Sequence, residues 1–251
     1  MTIGAVIFAR NNERIDYVAM AKWSAQNIKR HLGIDTHIVT DDTRVDSGSR
    51  HFADAGTVTW HNTNRMDAYR LSPWDRTLVL DADYVVASDQ LRSVLDCNQD
   101  FLAHRWAYDV TGENDFQGLN YFGNVRMPMW WATVMVFNKS KQAELIFNTM
   151  AMIRNNWTHY RNIYKNTSST YRNDHALSIA LLIVNGHTLD HPEIPWSLAT
   201  VTPERKLTQL SADQYRVDFV NSENKSRWIE IKQDFHAMSK QQLGDIVASQ
   251  T

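Results

Sequence analysis

The sequence predicts an α/β protein whose core is a mainly parallel, twisted sheet flanked by helices. Three observations support this prediction. Strand, helix and strand patterns alternate over residues 3–40. Residues 77–80 form an almost entirely apolar run, which is typical of a strand buried on both faces of a parallel sheet. Long helical patterns then follow over 139–157 and 174–184.

The first elements follow from apolar spacing. Residues 3–9 form a short run rich in β-branched and aromatic side chains, which predicts a buried strand. Over 15–32 the apolar residues recur at steps of three and four, which predicts a helix that ends at Gly33. Residues 36–40 predict a second strand. This order suits a parallel sheet and is typical of the start of nucleotide-binding folds.

Later elements are predicted from shorter patterns. Gly112, Gly118 and Gly123 fall in a long segment between two predicted strands, which we expect to be a loop that serves as a lid. Three prolines follow His191, so we expect 192–251 to be an irregular C-terminal part of a single domain covering 1–251. The remaining predicted strands are 57–60, 101–103, 130–137, 206–210 and 227–231, and the remaining predicted helices are 65–71, 89–95 and one from 239 onward. Residues 84–87 form a further apolar run.

Two carboxylates follow the clearest strand. Asp81 and Asp83, separated by Ala82, come directly after residues 77–80. Open α/β sheets bind ligands at the carboxyl ends of their strands. The small residue between the two lets both carboxylates reach one Mg²⁺ or Mn²⁺ ion, which in nucleotide sites also binds phosphate oxygens. The pattern therefore predicts a metal site for a nucleotide, with a solvated turn as the alternative.

Residues 78–86, LVLDADYVV, resemble the metal-binding element of nucleotide-sugar glycosyltransferases of the GT-A (Rossmann-like) fold. The resemblance is to the glycogenin and bacterial lipopolysaccharide galactosyltransferase type. It implies an enzyme that transfers a sugar from a UDP-sugar with retention of configuration, using Mn²⁺ or Mg²⁺ bound by Asp81 and Asp83. We also expect the C-terminal part, 192–251, to close over the donor site.

Other segments match this family in the same order. The resemblance implies that His236 is a third metal ligand, although the spacing from His236 to Lys240 is shorter than in the family and lacks its glycine. It also implies catalytic roles for Arg70, which would contact the donor, and for Asp174, which would lie at the reaction centre. The simpler alternatives are that Arg70 is a surface cation, that Asp174 caps its helix and that His236 is a structural histidine. The implied donor-binding residues are Ala9, Arg10, Asn11, Tyr17, Asp81, Ala82 and Lys240.

Basic and aromatic residues alternate before Asp174. The chain has no acidic residue between Glu144 and Asp174. Basic side chains pair with phosphates and aromatic rings stack on bases, so this segment would suit a polynucleotide acceptor, and it would suit a glycan acceptor equally well. Some large tailed phages encode compact glycosyltransferases that modify hydroxylated cytosines in DNA, and we hypothesise that this chain resembles them. The predicted acceptor-binding residues are Trp131, Tyr160, Arg161 and Lys165.

Composition narrows the remaining classes. The formal net charge of −2 gives the whole molecule no electrostatic signature of a nucleic-acid or membrane protein. A lone cysteine, Cys97, and the lack of long apolar runs favour the cytoplasm (the host cytoplasm for a phage protein), with no membrane contact and no obligate protein partner. A nucleotidyltransferase is less favoured because the loop 10–13 has no glycine. A non-catalytic nucleotide-binding module also remains as an alternative.

Overall fold

The computed structural model describes residues 1–40 and 64–250, which form β-sheets covered by helices. Its strands, in chain order, are β1 (Ile3–Phe8), β2 (Asp35–Val39), β3 (Arg76–Asp81), β4 (Tyr84–Val85), β5 (Phe101–His104), β6 (Ala107–Asp109), β7 (Tyr121–Phe122), β8 (Met127–Pro128), β9 (Trp131–Asn138), β10 (Leu198–Val201), β11 (Lys206–Ser211), β12 (Gln214–Val220), β13 (Ser226–Ile231) and β14 (Phe235–Ala237). Its α-helices are α1 (Tyr17–Leu32), α2 (Ala68–Leu71), α3 (Arg92–Leu95), α4 (Lys141–Asn155), α5 (Trp157–Ile163), α6 (Asn173–Val184) and α7 (Lys240–Ala248). The predicted strand 57–60 lies outside the described residues.

Within this part of the chain, the central sheet has the strand order β2-β1-β3-β9-β5. Strands β2, β1 and β3 are parallel, whereas β9 runs antiparallel to both β3 and β5. The predicted α/β class is confirmed. Because Phe8 of β1 pairs with Asp81 of β3, the carboxyl ends of the two strands lie side by side. The sheet therefore presents the acidic segment at the edge where the first loop also begins.

The helices begin and end as their capping residues direct. The Asp16 carboxylate accepts a hydrogen bond from the Ala19 amide at the start of α1, and Gly33 ends the helix with a φ of 71°. The single helix predicted over 139–157 is instead two helices, α4 and α5. Asn156 separates them with φ −122° and ψ 34°, which is not a helical conformation.

A second sheet, with the order β4-β14-β10-β6, lies next to the acidic segment. Its strand β14 runs antiparallel to β4, so that His236 pairs with Tyr84. The Ala237 amide also donates to the Asp83 carbonyl at 3.0 Å. This pairing brings a late segment of the chain to the end of β3.

The C-terminal part, 192–251, was predicted to be irregular apart from strands at 206–210 and 227–231 and a helix from 239, and the structure corrects this by adding β10, β12 and β14 to those three elements. Its described residues contain β10, β14, α7 and an antiparallel sheet of β11, β12 and β13. All three prolines precede Lys206, so none interrupts that sheet. In β12, buried Tyr215 and Val217 alternate with more exposed residues, which is the period of a strand with one face on the core. Whether 1–251 is one domain stays a prediction.

The segment 104–129, predicted to be a loop, contains the last residue of β5 and strands β6, β7 and β8. Strands β7 and β8 form a hairpin whose turn includes Gly123 at a φ of 67°. Its action as a lid stays a prediction. Among the described helices, none combines the length and the apolar character needed to cross a bilayer.

Candidate active site

A pocket of about 330 Å³ opens at the carboxyl ends of β1 and β3. The first residues of α1, α6 and α7 also line it, as do residues of β9 and β14. This is the edge at which open α/β sheets bind ligands. Its lining residues are Phe8, Arg10, Tyr17, Arg65, Asp81, Ala82, Asp83, Trp131, Thr133, Thr170, Arg172, Asn173, Asp174, His236, Met238 and Lys240.

Three potential metal ligands lie together in this pocket. Asp81 ends β3, Asp83 follows after Ala82, and His236 is held beside them by the pairing of β14 with β4. One ligand atom from each of the three lies within 4.8 Å of the others. His236 Nε2 is 3.3 Å from Asp83 Oδ2. The sequence therefore named three residues that the fold brings together, although 153 positions separate the last two.

The chemistry of these three side chains fits a divalent cation. Two carboxylates supply the oxygen ligands that Mg²⁺ and Mn²⁺ prefer, and a neutral imidazole is a common metal ligand. Asp83 and His236 are both buried, which limits competition from water. Three protein ligands also leave coordination positions for phosphate oxygens of a nucleotide.

Two cations already contact the carboxylates. Lys240 Nζ lies 2.7 Å from Asp83 Oδ2, and Arg65 forms an ion pair with Asp81. Burial raises the pKa of Asp83, but Lys240 and His236 lower it by more, so it stays well below its usual range. Burial lowers the pKa of Lys240, and Asp83 more than offsets this effect, so its pKa is raised. Both groups are charged at neutral pH.

Arg65 is a site residue that the sequence did not single out. It lies in a short 3₁₀ turn before α2 and donates through Nη1 to the Ala132 carbonyl at 3.0 Å. Burial lowers its pKa, with Asp174 and Asp83 acting in the opposite direction. Arg65 and Arg70 both lie in the segment before β3, and the sequence contains no signal that favours Arg65 over Arg70.

Arg70, predicted to contact the donor, does not line the pocket that the described residues form. Its side chain is 71% exposed and pairs with Asp67 at 3.4 Å. The reason lies in helix geometry. Ala68 faces the core from α2, and a residue two positions later points about 200° away from it. Of these two arginines, Arg65 lines the pocket and Arg70 does not.

Asp174 lies in the first turn of α6 and lines the same pocket as Asp81, Asp83 and His236. Its Oδ1 accepts a hydrogen bond from the Ala132 amide at 2.9 Å, and its Oδ2 pairs with Arg172 at 3.1 Å. The Asp174 carboxylate is thus hydrogen-bonded to the backbone of β9. Burial raises the pKa of Asp174, but Arg172, Arg65 and the Ala132 amide lower it by more, so it falls below its ordinary value. Asp174 is therefore an anion in a fixed orientation.

The other predicted donor residues divide into two groups. Arg10, Tyr17 and Ala82 line the pocket. Ala9 is buried and donates its amide to the Val39 carbonyl at 2.9 Å, so its contribution is to the backbone of the first loop. Asn11 accepts a hydrogen bond from the Val18 amide and thereby supports the start of α1.

The predicted acceptor residues are also divided. Trp131, at the start of β9, lines the pocket and is buried. Tyr160 and Arg161 lie on α5, and Lys165 follows that helix, outside the pocket lining. The structure instead places Thr170 and Arg172, from the same basic segment, in the lining.

The sequence matches no family model, and it matches no curated protein. In structure it is similar to the apo form of the glycosyltransferase GlyE of Streptococcus pneumoniae, with 15% identity, a TM-score of 0.43 and coverage of 77% of this chain and 45% of GlyE. It is also similar to the galactosyltransferase LgtC in complex with donor and acceptor sugar analogs, with 17% identity, a TM-score of 0.43 and coverage of 72% and 70%.

A putative glucose-1-phosphate thymidylyltransferase of Bacillus anthracis is similar as well, with 12% identity, a TM-score of 0.40 and coverage of 76% of this chain and 97% of that one. This chain spans less than half the length of the GlyE chain. Glycosyltransferases are thus among the solved structures to which the chain is similar. The function has to be inferred from the pocket's own residues.

Proposed function

We propose that this protein is a metal-dependent glycosyltransferase that moves a sugar from a nucleoside-diphosphate sugar, a UDP-sugar, to an acceptor hydroxyl. One observation carries the proposal. Asp81, Asp83 and His236 converge at the carboxyl end of a central strand, in the same pocket as Asp174. A divalent ion such as Mn²⁺ or Mg²⁺ bound there would neutralise charge on a departing diphosphate.

The charges of the pocket support a diphosphate ligand. Four cations and three aspartates line it, so its side chains carry one net positive charge. The cations are Arg10, Arg65, Arg172 and Lys240. A divalent ion adds two positive charges. A nucleoside diphosphate brings at least two negative charges, so its binding would balance a site that otherwise carries excess positive charge.

The residues of the chain supply the remaining steps. Lys240 and Arg65 would bind phosphate oxygens of the donor and stabilise them as the bond from the anomeric carbon to the diphosphate breaks. Asp174, held as an anion, would stabilise positive charge on the sugar ring. The acceptor oxygen then bonds to the anomeric carbon, and its proton passes to the departing diphosphate. The low pKa of Asp174 favours that route over proton transfer to Asp174 itself, which supports retention of configuration.

The test is release of nucleoside diphosphate from a panel of nucleotide sugars with Mn²⁺ or Mg²⁺. We expect release with one donor, dependence on the metal, and loss in Asp83→Asn. Asp35→Asn is the matched control, because Asp35 is an exposed residue paired only at the surface with Lys29. Nucleotide binding that does not depend on the metal, with no release of nucleoside diphosphate, would favour a non-catalytic binding module. Pyrophosphate release from a nucleoside triphosphate and a sugar phosphate would favour a nucleotidyltransferase.

For the acceptor, we propose a hydroxylated cytosine in DNA. Thr170 and Arg172 line the pocket, and the basic segment before them is continuous with that edge. A glycan or protein acceptor remains the alternative, because Trp131 in the same pocket could also contact a sugar. Incubation with the donor and DNA that contains 5-hydroxymethylcytosine should add one sugar mass to the modified base. Transfer to a free glycan but not to this DNA would overturn the DNA acceptor alone.

A further inference from the structure

Positive charge is concentrated in one part of the chain. Residues 116–173 contain seven Lys or Arg residues and a single acidic residue, Glu144, so this span has a formal charge of +6. Since the whole chain has a net charge of −2, the remainder carries −8. A separation of this size creates a local field that the net charge conceals.

The fold gathers part of this charge around the β7-β8 hairpin. The hairpin turn packs against the residues that follow α5, where the Asn124 amide donates to the Lys165 carbonyl at 3.1 Å. A Cβ at Gly123 would lie 2.4 Å from the Tyr164 carbonyl, which shows how closely the two segments approach. Arg126, on the hairpin, and Lys165 are both exposed. The two cations therefore belong to one surface.

Aromatic rings alternate with cations on this surface. The Arg126 guanidinium lies 4.8 Å from the centre of the Tyr121 ring, and the Arg105 guanidinium lies 4.2 Å from the centre of the Trp106 ring. Arg105 also lies 5.4 Å from the Tyr121 ring. Trp106 remains 42% exposed, so its ring is available to a ligand. Glu193 interacts electrostatically with Arg105.

A column of stacked rings connects the hairpin to the reaction centre. Phe122 of β7 stacks on His175 at 4.7 Å, and Trp157 of α5 lies parallel to His175 at 6.0 Å. His175 directly follows Asp174. The hairpin and α5 are therefore both packed against the first turn of the helix that positions Asp174.

We infer that a nucleic-acid strand binds across this surface, which we define as Trp106, Tyr121, Arg126 and Lys165, with unpaired bases stacked on Trp106 and phosphates paired to Arg126 and Lys165. Alternating cations and exposed rings are the pattern of single-strand binding surfaces, where rings stack on bases and cations contact the backbone. The inference deepens the proposed function by locating the strand that would carry the acceptor. It rests on that function for the reason why the strand binds, but not for the binding itself.

The experiment measures binding of a fluorescent single-stranded 12-nucleotide oligomer by anisotropy at several salt concentrations, without donor or metal. We expect Arg126→Glu and Lys165→Glu each to weaken binding and to reduce the slope of log K against log salt by about 1. Trp106→Ala should weaken binding about fivefold or more with little change in slope, because stacking on one base contributes about 1–3 kcal/mol. Lys232→Glu is the matched control, since Lys232 is exposed on another part of the chain. Thermal denaturation checks that each variant is folded.

Three results would each overturn the inference. The first is that the unaltered protein does not bind the oligomer, and the second is that Arg126→Glu, Lys165→Glu and the control all show the same salt slope. The third is that Trp106→Ala keeps full affinity and the unaltered protein binds an acidic polysaccharide as tightly as the oligomer. The last result would identify a general polyanion surface. Because donor turnover is measured separately, metal-dependent release of nucleoside diphosphate without oligomer binding would leave the proposed function intact and refute only this surface.

Discussion

Replacing Asp174 with asparagine separates its charge from its structural contacts. Asparagine keeps an oxygen that can accept the Ala132 amide hydrogen bond. It loses the ion pair with Arg172, in which the Arg172 side chain is 48% exposed and the Asp174 side chain 13% exposed, and the electrostatic interaction with Arg65; a partly exposed pair of this kind contributes about 1 kcal/mol to stability. The fold should therefore tolerate Asp174→Asn, and any large effect on turnover must come from the missing charge.

That effect can be estimated from the role proposed for Asp174. A single preorganised group aimed at charge that develops in the transition state contributes about 2.7–4 kcal/mol, so kcat should fall roughly a hundred- to a thousandfold. The KM for the donor should change little, because the residues proposed to hold the diphosphate and its metal, Asp83 and Lys240, are unaltered in this variant. Asp174→Glu, which keeps the charge but moves it, should recover part of the loss.

Steady-state release of nucleoside diphosphate, measured from pH 5 to pH 8, is the assay. Because the pKa of Asp174 is lowered, the carboxylate is ionised over this whole range, and kcat should not follow its titration. A loss of less than tenfold in Asp174→Asn would refute the electrostatic role. A rate that rises with pH in the unaltered protein but not in Asp174→Asn would show that Asp174 accepts a proton, contrary to our reasoning.

Three further predictions concern binding and stability. Arg65→Gln should abolish calorimetric binding of UDP with Mn²⁺, whereas Arg70→Gln should leave it unchanged because Arg70 lies outside the pocket. Equal affinities in the two variants would show that Arg65 has no special role in binding the donor. Burial lowers the pKa of His104 to about 4, so the unfolded state takes up its proton first, and the free energy of unfolding should fall by up to roughly 3 kcal/mol as the pH drops from 6.5 to 4. Urea denaturation of the unaltered protein and His104→Asn should show a weaker pH dependence in the variant, and identical dependence would contradict this assignment. Gly123→Ala should lower the melting temperature more than Gly112→Ala, since both glycines have φ near 70° but only at Gly123 would a Cβ collide with backbone, at 2.4 Å; equal shifts would argue against the close packing of the hairpin.

The sequence predicted what depends on neighbouring residues. The alternation of buried strands and helices at the start of the chain, and the position of Asp81 and Asp83 at the end of a strand, follow from local apolar patterns. The stop at Gly33 follows from its left-handed conformation. These features need no knowledge of distant contacts, which is why a single sequence was enough.

Features that depend on distant contacts were predicted less well. His236 was named through a family resemblance, because the β4-β14 pairing that brings it to Asp83 leaves no local pattern. Arg65 and Arg70 are chemically equivalent in the sequence, and only the direction in which the short helix α2 faces distinguishes them. Strand β12 was not predicted either, although its alternating apolar and charged residues are a local pattern of a strand with one buried face.

The pairing of β14 with β4 also has a consequence for the order in which the protein becomes functional. Both carboxylates of the candidate metal site are synthesised early, but the imidazole arrives with residue 236 and Lys240 only after it. A ribosome adds about 5–20 residues per second, so the emerging chain would carry an acidic segment without its partners for several seconds. During that interval it could fold its central parallel strands but could not assemble the complete site. The cluster of Asp81, Asp83 and His236 would therefore be completed in a single late event, when β14 docks.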